Sequence, residues 1–309
     1  MHSDHGHGSH GHSHAPKTLG HAFAIGIALN TTFVCIEAFY GWKINSLALL
    51  ADAGHNLSDV AGLVLAWAGV LAGKMAPDTR HTYGWRRASI LAAFINAVLL
   101  LLAMGSLGWE AIGRLNTPQT TEGWTMMAVA GVGIVINTAT ALLFMRGSGD
   151  DLNIRGAFLH MAGDALVSLA VVVGGGLYLW QGWAWLDPIM SLGIAVAIVV
   201  GTWSLFMQSL HLLFDGVPNH VDLNGVRAAL LNVPHVSAVH DLHIWAMDTS
   251  HVALTAHLVL DSADAHTDAV LQQAQHTLNE QFHIHHATLQ LESAAQAQQC
   301  PLRTGCGAS

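Results

Sequence analysis

Six long apolar stretches, separated by short polar breaks, occupy about the first two thirds of the chain. They lie near 19–42, 46–73, 88–113, 123–146, 155–181 and 184–212. Each reaches the roughly 20 residues that a helix needs to cross a bilayer, so the pattern predicts six transmembrane helices. The breaks fall at Lys43–Asn45, Lys74–Arg87, Arg114–Glu122, Gly147–Ile154 and Gln181–Gly182. The last is very short, and Trp183 and Trp185 beside it suit a membrane interface.

After Asp215 the pattern becomes that of a water-facing domain. Residues 222–232 read as a helix, 236–246 and 250–260 as strands, 265–281 as a helix and 286–292 as a strand. This α-β-β-α-β order, with a small antiparallel sheet, predicts an α+β ferredoxin-like unit. A domain of under about 80 residues is marginal by itself, so pairing with a second copy is expected. The expected organisation is a disordered His-rich tail over 1–16 and a six-helix membrane domain over 17–213. A cytosolic metal-binding domain over 214–293 and a flexible tail over 294–309 complete it.

Composition sharpens this reading. The chain is 52% hydrophobic and only 10% charged, against about 25% charged in a soluble domain. Its net charge of −9 comes from 20 acids and 11 bases, with no basic stripe for a nucleic-acid partner. Lys17, Lys74, Arg80, Arg86, Arg87, Arg146, Arg155, Arg227 and Arg303 fall on one side of the six spans, and Lys43 and Arg114 on the other. That asymmetry predicts cytosolic N- and C-termini. The short inter-helix loops suit a bacterial inner (plasma) membrane, with a vesicular membrane as the alternative.

Histidine is the compositional outlier, at 22 residues. It is the commonest metal ligand and titrates near neutral pH. His2, His5, His7, His10, His12 and His14 alternate with Gly and Ser in the first 16 residues. Such a tract cannot bury a core and reads as a weak, multivalent metal collector. It lacks the apolar region of a signal peptide.

Within the spans, LADAGHNLSDVAG carries His55 and Asp59, and FLHMAGDALVS carries His160 and Asp164. Residues four apart share one helix face. An Asp at bilayer depth costs about 2.5–3.5 kcal/mol even on the lenient insertion scale, and a divalent cation held between two helices would offset it. Two imidazoles and two carboxylates make a tetrahedral N₂O₂ set suited to Zn²⁺. The same donors also admit Cd²⁺ or Co²⁺, and the lack of thiolate argues against Cu⁺. The His-x-x-x-Asp spacing occurs twice more, at His211/Asp215 and His257/Asp261. The former pair sits at a solvated helix end. The latter sits on a predicted strand, where i and i+4 stand about 13 Å apart. Asp52, one turn before His55, reads either as a group that passes protons or ions or as a structural one.

The segments LADAGHNLSDV, RHTYGWRRASILAAF, DLHIWAM and TAHLVL resemble motifs of the cation diffusion facilitator family, over about residues 19–292. The resemblance implies six membrane helices, a cytosolic ferredoxin-like domain, a homodimer in the lipid bilayer, and proton-coupled export of divalent metal. It implies a zinc-type transport site at His55, Asp59, His160 and Asp164. It also implies cytosolic zinc sites at positions matching His240, His257, His285 and Glu292, which would make zinc a regulatory ligand as well as the cargo. For the loop between helices two and three it implies an Asp and two His. The sequence supplies Asp78 and His81 but has Trp85 at the third position, so the loop also reads as a solvated inner segment. Cys300 and Cys306, in CPLRTGC, resemble the terminal Cys pair of some vesicular zinc transporters, with a wider spacing. Two other classes are the alternatives. An intramembrane metalloenzyme needs an open metal position and a general base, and no His-Glu-x-x-His occurs. A non-transporting zinc sensor would not need the pairs inside the spans.

Overall fold

The computed structural model describes residues 17–73, 75–117, 119–145, 152–262 and 266–299. Along 17–27 and 152–160, among others, it describes the backbone alone. Among the described residues six long helices come first: α1 (Lys17–Lys43), α2 (Leu47–Gly73), α3 (Ala88–Asn116), α4 (Gly123–Met145), α5 (Leu152–Gln181) and α6 (Leu186–Leu213). The shortest has 23 residues, about 35 Å at 1.5 Å per residue, against a hydrocarbon core of about 30 Å. Four described stretches are long and apolar enough to cross a membrane: Ala88–Asn116, Gly123–Leu142, Met161–Gln181 and Leu186–Leu213. The expected breaks are real turns. Asn45 (φ 58°) and Gly182 (φ 69°) take left-handed conformations that end α1 and α5. Trp183 and Trp185 stack at 5.4 Å just beyond Gly182.

The chain divides into two compact units. One takes in the described residues up to Val60 together with Leu102–Val199. Its core joins Phe33, Leu49, Met126, Ala130 and Val171. Glycine permits the close approach here: a Cβ at Gly133 would stand 2.6 Å from Phe33 and 3.1 Å from Ser168 Oγ. The start of α2 is fixed by a carboxylate from α6. Asp187, 3% exposed, accepts hydrogen bonds from Ser46 Oγ (2.6 Å), Leu47 N (2.9 Å) and Ala48 N (3.3 Å). Ser46 Oγ also accepts from Leu49 N. These bonds satisfy N–H groups that a helix start leaves unpaired, and the negative charge meets the positive end of the helix dipole.

The other unit takes in Ala61–Leu101 and the described residues from Val200 on. It includes α7 (Leu223–Leu231), β1 (Val236–Ala246), β2 (Val252–Leu260), α8 (Thr267–Phe282), β3 (His286–Ser293) and α9 (Ala294–Gln299). Asp222 caps α7 through Asn224 N. His283 closes α8 in the left-handed conformation, with Ile284 N reaching back to Leu278 O. Val226 and Leu230 from α7, and Val270, Ala274 and Leu278 from α8, bury one face of each helix with Leu254 and Leu258 of β2.

One expectation needs correction. The sheet is mixed, in order β1-β2-β3: β1 and β2 pair antiparallel, but β2 and β3 pair parallel. The chain returns through α8, and a helical crossover brings the next strand back in the same direction. After β3, α9 begins the terminal segment. Near the α2–α3 loop, Arg87 pairs with Asp215, and Thr249 N donates to Ser89 Oγ at 3.3 Å.

Candidate functional site

Helical spacing sets the first candidate site. His55 and Asp59 lie one turn apart on α2, and Asp164 lies on α5. His55 Nε2 is 3.7 Å from Asp59 Oδ2 and 3.5 Å from Asp164 Oδ1. The Asp164 side chain is 4% exposed, and that of Asp59 35%. Tetrahedral Zn²⁺ with bonds of about 2.0–2.1 Å places its ligand atoms about 3.4 Å apart. The two separations lie within a few tenths of an ångström of that edge. His160 lies on α5 one turn before Asp164; its side chain is outside the described residues.

A buried polar layer backs this group. Asp52, fully buried, accepts from Ser168 Oγ at 3.1 Å and from Asn56 Nδ2 at 3.4 Å. Glu37 of α1 is also fully buried, with Asp52 and Asn56 beside it.

The second candidate is built across the sheet. His240 on β1 stands opposite His257 on β2, and Glu292 of β3 lies two residues beyond the neighbour of His257, on the same face. His240 Nε2 is 2.9 Å from Glu292 Oε2, and His257 Nδ1 is 2.8 Å from Glu292 Oε1. Among the described residues, this trio is a group of three metal-ligating side chains with all ligand atoms within 4.8 Å of one another. Asp241 completes its surroundings. The register of β1 against β2 shifts between His240 and His243, and Asp241 there has φ 50°. This bulge turns the Asp241 carboxylate back toward the sheet face, with Oδ2 3.5 Å from His257 Nε2 and Oδ1 2.9 Å from His243 Nε2. His285 is exposed and stays out of the trio. It lies in the short link between α8 and β3, after Ile284 has turned into the core.

The α2–α3 loop folds around Asp78. Its Oδ1 accepts from the backbone N–H of His81 (2.5 Å) and Arg80 (2.7 Å), and His81 Nδ1 lies 3.2 Å from Oδ2. These bonds, the one from His81 N–H foremost, hold the Asp78 carboxyl below its ordinary range. The His81 ring packs on Trp85, centroids 4.3 Å apart. Trp85 therefore covers the imidazole where the family pattern has a ligand.

Residues 23–214 match the cation efflux transmembrane domain, and residues 218–294 match the cytoplasmic domain of cation efflux proteins. The chain belongs to the cation efflux family. The zinc transporter ZitB of Escherichia coli (strain K12) is 36% identical over 293 residues, 92% of each chain. The metal cation efflux protein CzcD of Cupriavidus metallidurans is 37% identical, over 92% of this chain and 90% of that one. A cadmium, cobalt and zinc/H(+)-K(+) antiporter of Bacillus velezensis is 32% identical, over 93% and 92%. Among solved structures, the metal-bound C-terminal domain of the Cupriavidus CzcD transporter is 40% identical, covering 23% of this chain and 99% of that domain, with a TM-score of 0.23.

As a cation efflux protein, the chain is a membrane transporter and not an enzyme. Of the residues read from the sequence, His55, Asp59 and Asp164 come together, as do His240, His257 and Glu292. Cys300, Cys306 and the N-terminal His tract lie outside the described residues. The other two His-x-x-x-Asp spacings dissolve: Asp215 pairs with Arg87, and Asp261 with His235. Three further residues shape these groups or the helices that carry them. Glu37 carried a usable signal, an acid within an apolar run. Asp187 carried a weaker one, an acid at a helix start. Asp241 carried none, because only the bulge aims it at His257.

Proposed function

We propose that this protein exports Zn²⁺ from the cytosol in exchange for protons, with His55, Asp59, His160 and Asp164 as the four ligands of the transported ion. The observation that carries the reading is the spacing around His55 Nε2, 3.7 Å to Asp59 and 3.5 Å to Asp164, drawn from two helices. That spacing suits a small tetrahedral ion, and His160, one turn before Asp164 on α5, is the proposed source of the further nitrogen. The names of the relatives, zinc transporters and a cadmium, cobalt and zinc antiporter, support a soft-to-borderline divalent cargo.

Coupling follows from ligand chemistry. A ligating His must be neutral and a ligating Asp ionised, so Zn²⁺ binding releases protons and proton binding ejects Zn²⁺. A site that loads from the cytosol and reprotonates on the far side then exchanges one for the other. Asp52 sits one turn from His55 and holds Ser168 of α5, so it links the two ligand helices. The Lys and Arg asymmetry and the cytoplasmic description of the matched C-terminal domain support cytosolic termini. That domain is read as a zinc-sensing dimer module, with His240, His257 and Glu292 as ligands and His285 free to join from a rearranged link.

The test is Zn²⁺ flux into proteoliposomes under an imposed pH gradient, comparing native protein with Asp59→Ala and Asp164→Ala. Native flux with loss in both folded variants is the expected result. Normal flux in the variants would move the transport site elsewhere. Flux that ignores a collapsed pH gradient would remove the antiport and leave the site.

A further inference from the structure

A cavity of about 780 Å³ opens beside the α2–α3 loop, within the roughly 300–1,000 Å³ range of small-molecule sites. One wall is apolar: Leu65, Ala68 and Ala72 from α2, Leu91 and Ile95 from α3, and Leu213 from α6. Most of the rest of the lining comes from the loop itself, where Arg80 precedes and Arg86 and Arg87 follow Tyr83 and Trp85. Arg87 is committed to Asp215. Among the described residues, the guanidinium groups of Arg80 and Arg86 meet no acid.

The two walls together specify an amphiphile. A free anion would not need the aliphatic surface of α2 and α3. A neutral apolar molecule would not need the arginines, which are conspicuous in a chain with only 11 bases and a net charge of −9. Tyr83 and Trp85, both exposed, are side chains that settle at headgroup level. Basic pockets between membrane helices are the usual seats of anionic lipid headgroups. We infer that this cavity binds one anionic phospholipid, its phosphate on Arg80 and Arg86 and an acyl chain along Leu65, Ala68 and Leu91.

Such a lipid would brace the loop against the C-terminal domain. Trp245 and Met247, at and just past the end of β1, also line the cavity. Tyr83 meets His286 edge-on at 5.5 Å, and Ser89 accepts from Thr249 N. The helices cannot close the space themselves, because they already touch at Gly69, where a Cβ would stand 2.7 Å from Ser89 Cα. The inference rests on the membrane location of α2 and α3 and not on the transport ligands.

The experiment is native mass spectrometry of the delipidated full chain, offered phosphatidylglycerol or phosphatidylcholine with identical acyl chains. Phosphatidylglycerol should remain as one adduct per protomer under activation that strips phosphatidylcholine. The Arg80→Gln/Arg86→Gln variant should lose that preference by roughly tenfold or more. Equal retention of both lipids, or an unchanged preference in the variant, overturns the inference. Displacement by inorganic phosphate alone would show a free-anion site, and adducts that vanish from the dimer would show a cavity covered by a second copy. Either result also overturns it. Zn²⁺ flux by the same variant separates the two proposals, since the transport ligands are untouched.

Discussion

The two histidine–carboxylate groups use the same donor chemistry in opposite ways. Around His55 the donor atoms stand 3.5 and 3.7 Å apart, near the edge of a zinc tetrahedron. Around Glu292 they stand 2.8 and 2.9 Å apart, the lengths of hydrogen bonds. The α2–α5 group is braced beside its ligands by the Asp52–Ser168 hydrogen bond, and the start of α2 is fixed by the Asp187 cap. The C-terminal group has closed on itself, and its strands must yield about half an ångström to admit an ion. Under the proposed reading the first group carries the cargo, and its donor atoms are already spaced for a tetrahedral ion. Under the proposed reading the second group is the regulatory one, and its ligand atoms must separate for an ion to bind.

Exchanging the two groups' lesions gives the largest expected effect. His55→Ala should lower Zn²⁺ flux by more than about a hundredfold, beyond the 10–100-fold typical of lost outer-shell partners. Glu292→Gln should leave flux under saturating Zn²⁺ nearly native while cutting Zn²⁺ binding by the C-terminal domain. Equilibrium binding and proteoliposome flux on both variants decide the matter. If Glu292→Gln stops flux as completely as His55→Ala, the division into cargo site and regulatory site is wrong.

The next effect tests how the start of α2 is held. Asp187→Ala removes the acceptor of three hydrogen bonds at the start of α2. It should destabilise the membrane unit by about 1–3 kcal/mol and weaken transport. Asp187→Asn, which keeps one oxygen, should recover part of the loss. Denaturation in detergent reads the stability, and Zn²⁺ binding by the C-terminal domain should not change. A variant that loses flux at native stability would instead put Asp187 on the ion path.

A smaller effect belongs to the closed group. Asp241→Asn keeps the bulge but weakens the carboxylate that faces His257 Nε2. It should lower Zn²⁺ affinity of the C-terminal domain by roughly 10-fold, as outer-shell losses do. Asp241→Gly, which relaxes the left-handed backbone, should lose at least as much affinity while gaining strand stability.

What the sequence could disclose follows the same division. The spans were legible because bilayer thickness imposes a length and an apolarity that no soluble helix needs. His55, Asp59, His160 and Asp164 stood out because helical spacing put each pair on one face of an apolar run. Glu292 and His240 are 52 residues apart and meet only through sheet register, so family resemblance rather than spacing pointed to them. Spacing had no purchase on Asp241, whose direction depends on a register shift. Nor did strand alternation reveal that β3 joins β2 in parallel, which depends on where α8 delivers the chain.

The smallest effect concerns Asp78, which resembles a metal ligand and is bonded as a loop organiser. Its carboxylate holds the N–H groups of Arg80 and His81 and so titrates below its unfolded value. A depressed folded pKa means that the bonds stabilise the loop fully above the unfolded value and fade as pH falls through the folded one. Amide exchange at Arg80 and His81 should therefore quicken only on the acid side of the ordinary carboxylate range. Asp78→Asn should quicken it modestly at neutral pH, with flux and C-terminal Zn²⁺ binding unchanged. Trp85 stacked on His81 leaves this loop two donors and an aromatic lid, where each histidine–carboxylate group has three donors or more. If Zn²⁺ slows exchange at Arg80 and His81 in the native chain and not in Asp78→Asn, a third metal site exists, and the contrast between an open and a closed group must be redrawn to include it.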